Sequence, residues 1–522
     1  MQKPTGIDER LEQLRPPVIK SEGSTDSERY LAKIADRSFL NLWSYPNPYR
    51  DQKKSDKGNG KELCDLLVVC GAHIIIFSEK MIDWPCGSID IAWRRWAKRA
   101  IRDSAKQTKG AERWISNFPE RLYLDQDCSV PFPIDLPPEK DRHVHRVVIA
   151  NGSAKACQAH APSSSGSLII RPSVLGESHW AGLEIDLKPF VIGDVDPDGS
   201  FVHVFNEASL DIVMAELDTI TDFTNYLAKR ASFIRSGQLI EANGEENLLA
   251  YYAVRINDDG DHDFVVETGN GPLFIDRQRY KRYISDPRYR AKKIADEVSY
   301  LWDRLIESFT THMLDGTSIT LDDHEFKLRE NELGVRHMAL VPRFIRRIHS
   351  EAIVGALQRG QHVDRFVRVM MSAAGTKQNE TAFFIFTVKY VDWRKIKAGY
   401  ENYRIMRSRT AQIYARGLLE RYSHLKRVVG ISREPPGQSH GVSEDLVYAE
   451  QCEWTKEDRK TIRKDCQLAG VLQDMKEHRY QGEEFPEVET VIIERPVRPQ
   501  ASSHLNRKQR RAHRARTRKR KR

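Results

Sequence analysis

Acidic side chains and a lysine bracket the most hydrophobic stretch of the chain. Glu62 and Asp65 precede Leu66-Leu67-Val68-Val69, and after a turn the run Ile74-Ile75-Ile76-Phe77 ends in Ser78-Glu79-Lys80. A carboxylate at the mouth of a buried strand is costly unless it is paired or holds a metal. Asp65 and Glu79, with Glu62 beside them, are therefore candidate oxygen ligands for Mg²⁺ or Mn²⁺, a coordination that leaves water positions open for a nucleophile. Lys80 is placed to orient that water and to offset phosphate charge in a transition state. The chemistry implied is metal-dependent hydrolysis of a phosphodiester. The competing reading is that these charges flank a hydrophobic hairpin and keep it in register.

Two helices must frame such a hairpin. Thr25-Asp26-Ser27-Glu28 begins a helix that the recurrence of Tyr30, Leu31, Ile34, Ala35, Phe39 and Leu42 carries to about Trp43, where Tyr45-Pro46-Asn47-Pro48 stops it. From Ile91 to Phe118 the spacing of Trp93, Trp96, Ala97, Ala100, Ile101, Ala105, Trp114 and Ile115 marks one apolar helical face opposed by lysines and arginines. In this order the segment resembles the PD-(D/E)XK, or restriction-endonuclease-like, nuclease superfamily, in particular its nuclease-related-domain members. The resemblance covers about residues 25–120. It implies that Asp65 is the metal-binding strand Asp, Lys80 the motif lysine, Glu28 the first-helix Glu, and Gln107 in Ser104-Ala105-Lys106-Gln107 the helix Gln of exonuclease-type members. Ala111 stands where those members have Tyr. Ser78 occupies the acid position of the (D/E)-x-Lys motif, with Glu79 one place late. Strand alternation turns Glu79 away from Ser78 and Lys80, so the expectation is either a bulge that re-aims Glu79 or replacement of the missing ligand by Glu62. Glu28 also fits a capping box, a purely structural role, and Gln107 on a basic helix fits a solvated face.

The remaining sequence predicts strands at 146–150, 167–171, 190–195 and 201–205, the last two joined by the turn Asp196-Pro197-Asp198-Gly199. Helices are expected at 208–217, 221–235, 245–255, 288–311, 341–358 and 396–424. A strand pair is expected near 264–274, with further strands at 383–390 and 427–431. The fold class expected is α/β (α+β mixed): a restriction-endonuclease-like domain over 25–207, a mainly helical domain over 208–355 and a small α/β domain over 356–480. A leader (1–24) and a tail (481–522), both expected to be disordered, complete the division. At 522 residues several domains are the simple prior.

The formal charge of +9 is a property of the C-terminal end. Thirteen Lys or Arg follow Glu494 with no acid among them, and removing them leaves the first 494 residues at −4. Arg507, Lys508, Arg510, Arg511, Arg514, Arg516 and Arg518 belong to a run expected to bind DNA or RNA in a salt-dependent, sequence-indifferent way. Seven cysteines without a Cys-x-x-Cys pair argue against structural zinc and for reduced thiols. The longest nearly apolar run, Leu66–Phe77, is too short to cross a bilayer, and no secretory signal begins the chain, so the cytoplasm is the expected compartment. His143-x-His145 offers two metal ligands without a third, and Asn257–Asp263 reads as a polar turn. The basic, tyrosine-bearing stretch 277–293 is expected to be either a phosphate grip or a solvated helix face. Two functions remain: a metal-dependent nuclease acting on DNA or RNA, or a non-catalytic nucleic-acid- or ribosome-binding adaptor on a degraded nuclease fold.

Overall fold

The computed structural model describes residues 16–52, 60–181, 188–266, 271–318, 327–372, 379–390, 392–437, 443–473, 475–480 and 482–487. Residues 1–15 and the basic run 507–522 lie outside the described residues. Thr25 caps α1 (Asp26–Phe39), its hydroxyl accepting the Glu28 N–H at 3.1 Å, and Leu31, Ala35 and Phe39 form the buried stripe. The chain continues through β1 (Ser44–Pro46), β2 (Tyr49–Asp51), β3 (Gly60–Glu62), β4 (Leu66–Cys70) and β5 (His73–Met81), with Gly71 at φ +60° making the turn between the last two. The basic helix, α2, is unbroken from Ile89 to Asn117 but contains a π turn at Lys98–Arg102.

After β6 (Leu122–Tyr123) come β7 (His143–Asn151), α3 (Ala154–His160), β8 (Ile169–Leu175), β9 (Val191–Asp194) and β10 (Val202–Phe205). The central sheet has the order β1-β4-β5-β7-β10, with β4 antiparallel to both neighbours and β5, β7 and β10 mutually parallel. α1 and α2 pack on its opposite faces. Adjacent residues of β5 show this directly, because Glu79 bonds Ser27 of α1 while Ser78 bonds Gln107 of α2. The Asp196–Gly199 turn forms as expected, with the Gly199 N–H on the Asp196 carbonyl. It joins strands of different sheets, since β9 belongs to a second sheet.

α4 (Leu210–Glu216), α5 (Ile220–Arg235), β11 (Leu239–Ala242), α6 (Glu245–Ala253) and β12 (Leu273–Ile275) follow. The second sheet runs β12-β11-β8-β9. Of the strand pair expected near 264–274 the described residues show one strand, β12, which pairs in parallel with β11. α7 (Arg279–Ser285), α8 (Pro287–Asp296), α9 (Tyr300–Leu314), α10 (Leu328–Ala339) and α11 (Arg343–Gly360) complete the helical middle. It is a cover for the sheets: Phe223 of α5 stacks on Phe77 and packs tilted against Phe39, and Trp43 donates to Glu332 of α10 at 2.6 Å. Buried Arg343 and Arg346 tie α11 to Asp303 of α9, and Arg343 also reaches Asp218.

The C-terminal unit is β13 (Arg365–Met371), β14 (Thr381–Val388), α12 (Asp392–Arg421, broken at Gly399), β15 (Arg427–Arg433), β16 (Glu444–Glu450) and α13 (Lys456–Ala469). Its sheet is β13-β14-β15-β16. Alternate residues of β14 enter two cores: Phe384 and Phe386 join Tyr414 and Leu418 of α12, whereas Phe383 and Ile385 join the core that begins at Leu31. Divisions at 207/208 and 355/356 therefore run through shared packing.

The ends also differ from expectation. Val18 donates to the Leu314 carbonyl, and Lys20 reaches carbonyls of Asn41 and Ser44, so residues 16–24 are docked. Glu484 pairs with His262 and Lys292, and Phe485 packs on Tyr283, so 482–486 are docked as well. No helix among the described residues is long and apolar enough to cross a membrane, and all seven cysteines are free.

Candidate functional site

The acids converge where β4 begins and β5 ends. Asp65 is buried just before β4. It accepts the backbone N–H of Glu79 and, at 3.3 Å, the Gln107 amide, whose oxygen takes the Ser78 hydroxyl at 3.1 Å. Glu62, at the end of β3, is hydrogen-bonded to Asp65. Asn47 joins the remaining acid to this pair, its amide lying 3.3 Å from Glu62 and 3.0 Å from Glu28. Asn47 itself is fixed in a left-handed conformation (φ 46°) between two prolines, with its N–H on the Asp65 carbonyl.

Glu79 stands on the other side of the strand. Its carboxylate accepts from Ser27 at 2.8 Å and Asn151 at 2.7 Å. The bulge expected at this strand end is absent: the β5–β7 register is continuous from His73↔His143 to Met81↔Asn151. An unbroken ladder on β7 leaves no extra residue to rotate Glu79, so it keeps the orientation that alternation gives it. Glu62 is the acid beside Asp65. Lys80, half-buried and in register with Ala150, shares the Ser78 face by the same alternation.

Electrostatics follow from this crowding. Burial, then the nearby Glu62 and Glu28, push Asp65 up to about 7, against the pull of the Glu79 N–H. Burial also raises Glu79, while its bonds to Ser27 and Asn151 hold it down. Glu28 bonds back to the residue before the Thr25 cap rather than to the cap itself. Its carboxylate caps the Ser24 N–H at 2.7 Å and also takes the Asn47 amide.

The carboxylates of Asp65 and Glu62 form an all-oxygen donor set, which suits a hard divalent cation. As the side chains stand, no group of three His, Cys, Asp or Glu among the described residues is gathered to hold a metal. Asp65 and Glu62 supply two carboxylates, and Mg²⁺ is commonly bound by one or two, completed by water and substrate phosphate.

Ser27, Asn47, Ser78 and Asn151 were not singled out by sequence, apart from Ser78 as a departure. The Pro-Asn-Pro triplet was the available signal for Asn47. The other motifs lie apart from the site. His145 and His73 meet at 3.3 Å at the opposite end of β5, and burial drives them down to about 3 and about 4 respectively. Asn257–Asp263 is a turn closed by the Asn257 N–H on Asp261. Tyr283 and Tyr289 of the 277–293 stretch pack on each other, with the Tyr289 hydroxyl donating to Glu216. Comparison with protein-family models, curated proteins and solved structures finds no match for this chain.

Proposed function

We propose that the chain is a divalent-metal-dependent phosphodiesterase acting on nucleic acid, as its resemblance to PD-(D/E)XK nucleases implies. The observation that carries this reading is Asp65, a carboxylate raised to about 7 first by burial and then by the nearby Glu62 and Glu28. Such an arrangement lacks a positive charge, and Mg²⁺ or Mn²⁺ held by Asp65 and Glu62 supplies it. A bound ion of this kind lowers the pKa of a coordinated water and polarises the phosphoryl oxygen. Gln107 holds Asp65 in place, and Lys80 offsets charge on the scissile phosphate and orients the attacking water. Glu79 acts behind the site, its backbone N–H fixing Asp65 and its side chain tying α1 to β7. The basic end of the chain attracts the polyanion, in a cytoplasmic setting.

A second reading has its own observation. Ser78 fills the motif's acid position and is spent on Gln107, as in a fold that binds nucleic acid without cutting it.

The test is cleavage of labelled single- and double-stranded DNA and RNA with Mg²⁺ or Mn²⁺. Wild type is expected to cleave, with activity rising as pH passes about 7 and Asp65 ionises. Asp65→Ala should lose about a hundredfold or more, the scale for removing a principal transition-state stabiliser. Equal cleavage by both proteins rejects the assignment. No cleavage, with binding that survives Asp65→Ala but disappears on deletion of 495–522, supports the adaptor.

A further inference from the structure

A cavity of about 630 Å³ lies away from the acidic cluster, between the C-terminal end of α3 and the ends of the second sheet. Its volume falls in the range of small-molecule sites, which is about 300–1,000 Å³. Three cationic side chains reach it: Arg171 from β8, Lys188 before β9, and Arg277 after β12. Arg171 is engaged by Glu241, with Nε 2.8 Å from the carboxylate. Among the described residues Arg277 is held by neutral groups, Nη1 donating to the Ser163 hydroxyl at 2.6 Å and Nε to the Asn243 oxygen at 3.1 Å. Lys188 has no ion pair among the described residues. The cavity is thus cationic among the described residues, and its guanidinium is aimed in advance.

A fixed guanidinium with free N–H groups matches phosphate, and a lysine adds a point charge. Ser163 and Ser164, on the loop after α3, bring hydroxyls to the same rim. Buried Phe190 and exposed His160 also belong to its lining. Phe190 stacks on Trp84 with ring centres 5.0 Å apart, and His160 lies 5.5 Å from the same ring. A bare phosphate ion would leave most of this volume empty and the His160 ring unused. We infer that the cavity binds a nucleotide, with its phosphate on Arg277, Lys188 and Ser163 and its base on exposed His160, which Phe190 backs. The site shares no residue with the acidic cluster and does not depend on the proposed phosphodiesterase activity.

Calorimetric titration of the full chain with AMP, ribose 5-phosphate and inorganic phosphate tests this. AMP is expected to bind saturably at one site, about tenfold or more tighter than either smaller probe. Arg277→Gln and Lys188→Gln, both at exposed positions whose loss leaves the fold intact by circular dichroism, should each weaken AMP about tenfold. Absence of saturable AMP binding up to millimolar concentration overturns the inference, as does unchanged affinity in both variants. Equal affinity for ribose 5-phosphate overturns the nucleotide assignment.

Discussion

At the scale of single residues, the site is built around a carboxyl group the fold prefers to keep neutral. The folded pKa of Asp65, about 7, lies above the ordinary carboxylate value near 3.9. The stabilising protonated form is therefore fully populated at low pH, and its contribution is lost as pH rises from about 4 through about 7. Asp65→Asn, which keeps the shape and removes the ionisation, is expected to raise stability at pH 8 by on the order of 2 kcal/mol and to change little at pH 4. Urea denaturation at the two pH values measures this. Destabilisation at pH 8 would show that the charge is already compensated. A substitution that strengthens the fold while ending the proposed cleavage is the trade expected of a site that keeps strain for function. Asp65, Glu62 and Lys80 were legible in sequence because charge at the mouth of an apolar run is conspicuous. Asn47 and Asn151 were not, because an uncharged amide in a loop or at a strand end carries no such contrast.

At the scale of elements, β5 and β7 set the site, and the loop after β7 locks it. Gly152 follows Asn151 at φ +102°, and a Cβ there would lie 2.0 Å from the Ile82 carbonyl oxygen. Gly152→Ala must therefore move the backbone that aims Asn151 at Glu79. We expect a loss of about 1–3 kcal/mol in stability, as for other forced steric insertions, read from the denaturation midpoint. An unchanged midpoint would mean the loop yields freely. The α1 helix, the β4–β5 hairpin and α2 were legible because their apolar spacing has a clear period. The π turn inside α2 was not, since it alters hydrogen bonding without disturbing that spacing much. β14 hid its alternation because both its faces are buried, with Phe383 and Phe384 serving different cores. β13 and β16, edge strands carrying Arg365 and Arg368 or Glu444, Asp445 and Glu450, are not among the strands the sequence predicts, their charges interrupting the apolar pattern.

At the scale of the whole molecule, helices from the middle of the chain and a short segment near its C-terminal end close over the sheets. Pattern reading assigns secondary structure to such segments but does not say which surface they cover, and this is why the helical middle looked like a separate domain. Glu484 is the clearest fastening. It bonds His262 at 2.7 Å and Lys292 at 3.2 Å, which hold it down at about 2. Its contribution is present above the ordinary carboxylate range and is lost only as pH falls through about 2. Glu484→Gln removes the carboxylate beside half-buried His262 and one of the two on Lys292, which keeps Asp296 at 2.6 Å, and should cost about 1–2 kcal/mol near neutral pH, whereas deletion of 495–522 should leave thermal stability unchanged. Equal melting temperatures for wild type and Glu484→Gln would mean that the segment merely rests on the surface. The proposed activity requires, above all, that the crowded acids take up a divalent cation. Mn²⁺ binding followed by electron paramagnetic resonance, on wild type and Asp65→Ala near pH 8, addresses that requirement directly. Stoichiometric uptake by wild type that is lost in Asp65→Ala is the predicted result. Uptake that is absent in wild type, or identical in the two proteins, would contradict it.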